Sequence, residues 1–63
     1  MLAVKYFNLN PGDEFKLTRH SYDKRVFRRE KEGATTILDK DGKPCRHDYK
    51  IYPPMVSVVW IKE

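Results

Sequence analysis

The chain has 63 residues, with 13 Lys or Arg against 9 Asp or Glu, and its formal net charge is +4. This length suits one domain, residues 1–63, with a small core. No apolar run approaches the roughly 20 residues of a membrane span, and the first residues lack the apolar stretch of a signal peptide. The single Cys45 cannot form an internal disulfide, which small extracellular domains usually need, so we expect a cytoplasmic protein with no membrane partner.

Short runs rich in β-branched and aromatic residues alternate with turns that contain Pro, Gly and Asp. In chain order, the predicted strands are Ala3–Phe7, Glu14–Thr18, Lys24–Lys31, Ala34–Leu38, Asp48–Tyr52 and Met55–Ile61. The strongest turn signals are Pro11-Gly12 and Asp41-Gly42. The best helical candidate, Tyr22–Glu32, has no apolar stripe at helical spacing, so we expect at most one short helical turn.

Five or six short strands about ten residues apart predict an all-β fold, a closed or nearly closed barrel of antiparallel strands. A core this small needs several aromatic rings to fill it, and we expect Phe15, Tyr49 and Trp60 there. Met55–Ile61 is almost continuously apolar, which indicates a central or barrel-closing strand. An SH3-like barrel and an OB-like partial barrel both fit, and the shorter SH3-like form suits this length better.

The segment Asn-Leu-Asn-Pro-Gly-Asp-Glu-Phe, Asn8 to Phe15, resembles the Leu-x-Pro-Gly-Asp-x-Phe opening of many SH3-like barrels and of short phage and bacterial proteins. The resemblance covers about eight residues and implies a Pro-Gly-Asp turn leading into a barrel strand. It carries over no catalytic residue. Because exposed aromatics of SH3-like barrels often line a partner groove, the resemblance also implies Tyr22 and Tyr52 as secondary interface residues.

The positive charge is concentrated in one segment. From Lys16 to Lys31 there are seven basic and two acidic side chains, a net charge of +5, while the other residues carry six basic and seven acidic ones, a net charge of −1. This hairpin-sized segment is therefore the expected contact surface. Its predicted binding residues are Lys16, Arg19, Lys24, Arg25, Phe27, Arg28, Arg29 and Lys31.

Strand alternation separates Lys24, Val26 and Arg28 from Arg25, Phe27 and Arg29, so Val26 and Phe27 cannot both face the core unless a bulge intervenes. If Val26 is buried, Phe27 lies exposed between two arginines and can stack on a base. If Phe27 is buried, the other face presents a phosphate-contacting stripe.

Two binding functions and a structural alternative follow from this segment. The leading hypothesis is a regulatory protein, whose small size suggests a phage or mobile element as its source, that contacts nucleic acid through phosphates and one or two stacked rings. The alternative is a modulator or inhibitor that docks the same basic face on an acidic patch of a larger enzyme or complex, because Arg also grips carboxylates. The structural alternative, a subunit that assembles through edge strands, fits the sequence less well because the hairpin is so charged. Basic strands can also serve solubility and edge protection alone.

Catalytic and metal sites are not expected. Cys45 and His47 give half of a zinc site, and with Asp48 and His20 they lack the paired ligand spacing. If Cys45 were a nucleophile and His47 its base, the neighbouring Asp48 would be the one residue placed to orient the imidazole. A calcium loop counted from Asp39 would need Glu where Lys50 stands. We therefore expect no enzyme, no cofactor and no metal.

Overall fold

The computed structural model describes residues 1–45 and 49–62 and is nearly all β, which confirms the predicted fold class. A 3-10 turn, Tyr6–Asn8, is the sole helical element of the described residues, none of which form a helix that could span a bilayer. The six strands are β1 Leu2–Lys5, β2 Glu14–Phe15, β3 Val26–Arg29, β4 Ala34–Leu38, β5 Lys50–Ile51 and β6 Val58–Ile61.

The strands form two antiparallel sheets, one with the order β2-β3-β4-β5 and one that pairs β1 with β6. One bridge joins them: the Lys16 N–H donates to the Trp60 carbonyl at 2.8 Å and the Trp60 N–H donates to the Lys16 carbonyl at 2.9 Å. The spatial order is thus β1-β6-β2-β3-β4-β5, with β1 and β5 at its two ends. No ladder between β1 and β5 closes a barrel within the described residues.

Aromatic rings fill the core, as the composition predicts. Phe15 and Phe27 are cross-strand partners whose rings stack at 5.6 Å, and Tyr6 meets the Phe15 ring edge-on at 5.5 Å. Such pairs add about 0.5–1.5 kcal/mol to what burial of their area supplies. The buried apolar residues are Tyr6, Leu9, Phe15, Phe27, Ala34 and Val59.

The prediction for Phe15 is confirmed, whereas the one for Tyr49 is wrong and Trp60 is only half-buried. The Tyr49 side chain is 63 % exposed because it precedes a two-residue edge strand that nothing covers in the described residues.

Several strands are shorter than the sequence predicts. The last strand begins at Val58 and not at Met55, because Pro53 and Pro54 have no N–H to donate to a ladder and the Ser57 N–H turns back to the Pro54 carbonyl at 3.0 Å. The short helical turn occurs after β1, at Tyr6–Asn8, and not within residues 22–32. Asp48, the predicted start of the fifth strand, lies outside the described residues.

The predicted turn at residues 10–13 is present and holds β2 against β3. The Asp13 carboxylate accepts the Asn10 N–H at 2.8 Å, and Gly12 adopts a positive φ of 97° that few other residues tolerate. The Gly12 N–H then reaches the Arg29 carbonyl at 2.7 Å, and the Arg29 N–H reaches the Asp13 carbonyl at 2.8 Å. This turn therefore fixes the register of the segment that carries most of the positive charge.

Candidate functional site

The pairing of β3 with β4 determines which residues of the basic segment face the core. Val26 pairs with Leu38 and the next residue, Phe27, pairs with Thr36. Ile37 of β4 therefore has no partner on β3 and is the extra residue of a β-bulge. Phe27 is 1 % exposed and packs on Phe15, while Val26 lies on the opposite side of the sheet. The prediction that Phe27 contacts a partner is therefore wrong, since its ring has no accessible face.

Arg25 holds the loop that precedes β3. Its guanidinium makes two hydrogen bonds to the Asp23 carboxylate, from Nε to Oδ1 at 3.0 Å and from NH2 to Oδ2 at 2.8 Å, and it lies 5.9 Å from the centre of the Phe27 ring. The Asp23 carboxylate is buried and also accepts the Arg25 N–H at 3.1 Å. Removing Arg25 would leave a buried carboxylate without its partner, which indicates a structural role.

The Arg25 hydrogen bonds lower the Asp23 pKa from 3.8 to about 2, against the opposing effect of burial. Because the folded-state pKa is depressed, this stabilisation is fully present above pH 3.8 and is lost as the pH falls towards the folded pKa of about 2. We expect Asp23→Asn to lower the free energy of unfolding by about 1–2 kcal/mol at pH 7, allowing for the partly exposed Arg25. Urea titrations at several pH values should show this deficit shrinking below pH ~4, whereas a constant deficit would contradict the assignment.

The Arg29 side chain lies on the same side of the sheet as the core, next to Tyr6 and Leu9. Its NH1 donates to the Tyr6 carbonyl at 3.2 Å and to the Leu9 carbonyl, and its guanidinium lies 5.0 Å from the centre of the Tyr6 ring. Burial raises the pKa of the Tyr6 hydroxyl, and the Arg29 charge partly opposes that rise. The Arg29 side chain is half-buried and its NH1 group is bound to backbone carbonyls, so it has a structural role here, and its contact with a partner stays a prediction.

The other predicted cations of the loops are exposed but are dispersed. Arg19 and Lys24 lie between β2 and β3, where the Lys24 stem runs past Gly42, and Lys31 lies in the turn between β3 and β4. Since Lys24 and Lys31 flank opposite ends of β3, the three do not form one patch.

The two secondary aromatic residues are both exposed. Tyr22 is 74 % exposed and stacks on His20 with ring centres 5.2 Å apart. Tyr52 is 70 % exposed and lies against Gly33, so closely that a Cβ at that glycine would be 2.8 Å from the ring. Both rings are accessible, and their role in an interface stays a prediction.

A third group of side chains lies on the sheet face opposite the core, which we name the outer face. One row crosses all four strands of the larger sheet through the pairs Glu14–Arg28, Arg28–Thr35 and Thr35–Lys50. Directly opposed residues project on the same side of a sheet, so Arg28 and Lys50 flank Thr35. The outer face comprises Glu14, Lys16, Val26, Arg28, Thr35, Leu38, Lys50 and Trp60.

The outer face contains a shallow cleft of about 200 Å³ next to this row. The cleft is lined by residues from both sheets and from the first residues of the chain: Met1, Glu14, Phe15, Lys16, Val26, Leu38, Trp60, Ile61 and Lys62. Trp60 thus contributes an aromatic ring beside a lysine, although the sequence led us to expect it in the core. The Lys16–Trp60 bridge that brings the two together joins distant parts of the chain, and no local pattern in the sequence reveals it.

A second groove lies on the other side of the sheet. It is lined by Leu17, Arg25, Thr36, Lys40 and Cys45, among others, and Cys45 is a free, partly buried thiol. Two of the residues considered for a metal site, His47 and Asp48, lie outside the described residues. Within residues 1–45 and 49–62, no three His, Cys, Asp or Glu side chains converge as metal ligands.

No model of a known protein family matches the chain, and no curated protein or solved structure matches it either. The chemistry of the outer face is therefore the guide to function.

Proposed function

We propose that this protein binds single-stranded nucleic acid on its outer face. The observation that carries the proposal is the position of Trp60 beside Lys16 in an apolar cleft, on the same sheet face as Arg28 and Lys50. Every base has a π-face, and stacking on an aromatic side chain contributes about 1–3 kcal/mol per base. Trp60 is the proposed base-stacking ring, in place of Phe27, which was the ring expected from strand alternation.

The charges beside the cleft are suited to phosphate contacts. Arg28 and Lys50 stand on either side of β4, so their backbones are about 10 Å apart, twice the spacing of neighbouring strands. Among the residues that the structure describes, Arg28 forms a loose ion pair with Glu30 at 3.4 Å, with the two side chains 47 % and 37 % exposed. An exposed ion pair of this kind contributes little free energy in water, so the guanidinium can exchange Glu30 for a phosphate. The Lys50 ammonium likewise has one long contact, to the Glu32 carbonyl at 3.3 Å.

The shape of the site favours a single strand over a duplex. Reading the major groove of DNA requires an α-helix or a projecting β-ribbon, and the helical element of the described residues is a three-residue turn. A cleft with one aromatic ring instead accepts an unstacked base, which duplexes do not offer.

The alternative partner, an acidic protein surface, would meet the same cations through carboxylates. Trp60 in the cleft favours the nucleic acid, because a base supplies a planar π-surface together with the phosphates. A face that binds polyglutamate or an acidic protein but no oligonucleotide would support the alternative.

The test is the binding of a fluorescent oligonucleotide of about 12 nucleotides, within the range of single-strand site sizes, over a series of salt concentrations. Three phosphate contacts from Lys16, Arg28 and Lys50 predict a slope of log K against log salt of about −2. We expect Arg28→Ala and Lys50→Ala each to weaken binding and to reduce the slope by about 0.7.

The matched control is Lys40→Ala, which removes the same charge from the groove on the other side of the sheet. It should leave the slope unchanged. An affinity that Lys40→Ala lowers as much as Arg28→Ala does would show diffuse charge attraction and would contradict a site on the outer face. Failure to bind at about 50 mM salt, where phosphate contacts are strong, would exclude the function altogether.

A further inference from the structure

The edge of β1 presents backbone groups that no described strand uses. Both backbone groups of Trp60 are bonded to Lys16, so the pair Ala3–Trp60 of the β1–β6 ladder is not hydrogen-bonded. Along an antiparallel ladder, hydrogen-bonded and non-hydrogen-bonded pairs alternate, so Lys5–Val58 is also a non-hydrogen-bonded pair. The Tyr6 N–H, one residue further, accordingly donates to the Ser57 carbonyl at 2.8 Å. It follows that both backbone groups of Ala3 and the N–H of Lys5 are directed to the free side of β1, whereas the Lys5 carbonyl is the N-cap acceptor of the 3-10 turn Tyr6–Asn8.

The two ends of the strand order differ in how well they resist pairing with another chain. The β5 end is two residues long, carries Lys50 and is followed by Pro53 and Pro54, all features that protect an edge. The β1 end has four residues, of which three are exposed, and Leu2–Val4 contains no charge and no proline. Among the described strands, β1 is therefore the edge best able to accept a further strand.

We infer that two copies of this chain pair through their β1 edges, antiparallel about a two-fold axis at Val4. In this register Ala3 of one copy faces Lys5 of the other, and each pair exchanges two N–H···O bonds, of which one uses the second lone pair of the Lys5 carbonyl that also begins the 3-10 turn. The interface is self-complementary because the same backbone groups serve as donors and acceptors on both sides.

The side chains next to this edge also favour pairing. Two apolar side chains flank β1, Met1 before it and Phe7 in the 3-10 turn after it, and each is 54 % exposed in the single chain. Few charges lie near this edge, since Lys5 is the one charged side chain between residues 1 and 12. The basic outer face, by contrast, would repel a second copy.

Sedimentation of the intact protein over concentrations up to about 1 mM tests this inference, because an interface this small belongs to the weak class. We expect the average mass to rise towards twice that of one chain, and the Ala3 and Lys5 amides to exchange more slowly with solvent as concentration rises. A protein that stays at the mass of one chain throughout would overturn the inference.

Ala3→Pro is the sharpest variant, because it removes an N–H that the β1–β6 ladder does not use, and proline is tolerated on an edge when its missing N–H faces solvent. Losing one bond in each half of the dimer should raise the dissociation constant about tenfold or more, with the core amides still protected. Phe7→Lys should also weaken association without unfolding the chain. Tyr22→Lys, the same kind of change on a distant exposed ring, should have no effect, and equal effects of Phe7→Lys and Tyr22→Lys would contradict the proposed surface.

Discussion

Replacing Phe27 with Ala is expected to abolish most of the stability of the fold. The ring is 1 % exposed and stacks on Phe15, and truncation of a buried Phe typically costs about 3–5 kcal/mol. Domains have about 0.05–0.15 kcal/mol of stability per residue, which gives this chain roughly 3–9 kcal/mol in total. Urea unfolding followed by circular dichroism should therefore show the Phe27→Ala variant largely or wholly unfolded in buffer.

The milder variant Phe27→Leu separates a core role from a binding role. Leucine keeps an apolar group inside the core, so the chain should fold with reduced stability and bind the oligonucleotide as tightly as the unchanged protein. If Phe27 were instead a stacking residue, Phe27→Leu would lower affinity with little loss of stability. That result, or a stable Phe27→Ala variant that fails to bind, would contradict the packing of β3 described above.

Arg29→Ala is expected to cost about 2–3 kcal/mol, the second large effect. Hydrogen bonds to a charged group contribute about 1.5–3 kcal/mol, and this guanidinium binds the carbonyls of Tyr6 and Leu9 while lying over the Tyr6 ring. Those carbonyls belong to the turn that leads from β1 towards β2, so the loss should loosen that turn. Chemical denaturation gives the magnitude, and faster amide exchange at Leu9, whose N–H bonds to the Tyr6 carbonyl at 3.0 Å, gives the location.

Arg28→Ala is the matched control for this measurement, because it makes the same change one residue earlier on the same strand. Arg28 is exposed and loosely paired, so its loss should change stability by less than about 0.5 kcal/mol. The two variants should therefore show opposite patterns: Arg29→Ala lowers stability and Arg28→Ala lowers oligonucleotide affinity. Equal losses of stability would contradict the division of the basic segment into core-facing and outer-face arginines.

Local patterns in the sequence predict much of the fold. Ala34–Leu38 has the predicted limits because a break at Gly33 and the Asp41-Gly42 turn bound an apolar, β-branched run. The predicted turn at residues 10–13 and the burial of Phe15 are also confirmed. Each of these features depends on neighbouring residues or on strand alternation, which can be read directly from the linear sequence.

The candidate site depends on pairings between distant residues, which alternation cannot supply. Alternation separates Arg25 and Arg29 from Arg28, but it does not show that the carbonyl partners of Arg29 lie before β2. It also cannot show that Trp60 pairs with Lys16, and so it assigns that ring to the core. The bulge at Ile37, which accompanies the change in register between β3 and β4, likewise has no clear sign in the sequence.

The fluorescence of Trp60 during titration with a short single-stranded oligonucleotide tests the central claim most directly. The chain contains one tryptophan, so its emission reports on the cleft of the outer face alone. Base stacking at the cleft predicts saturable quenching that follows the anisotropy signal with the same dissociation constant and that added salt reverses. Oligonucleotide binding that leaves the Trp60 emission unchanged would contradict the proposed site, and the absence of both signals at low salt would contradict the proposed function.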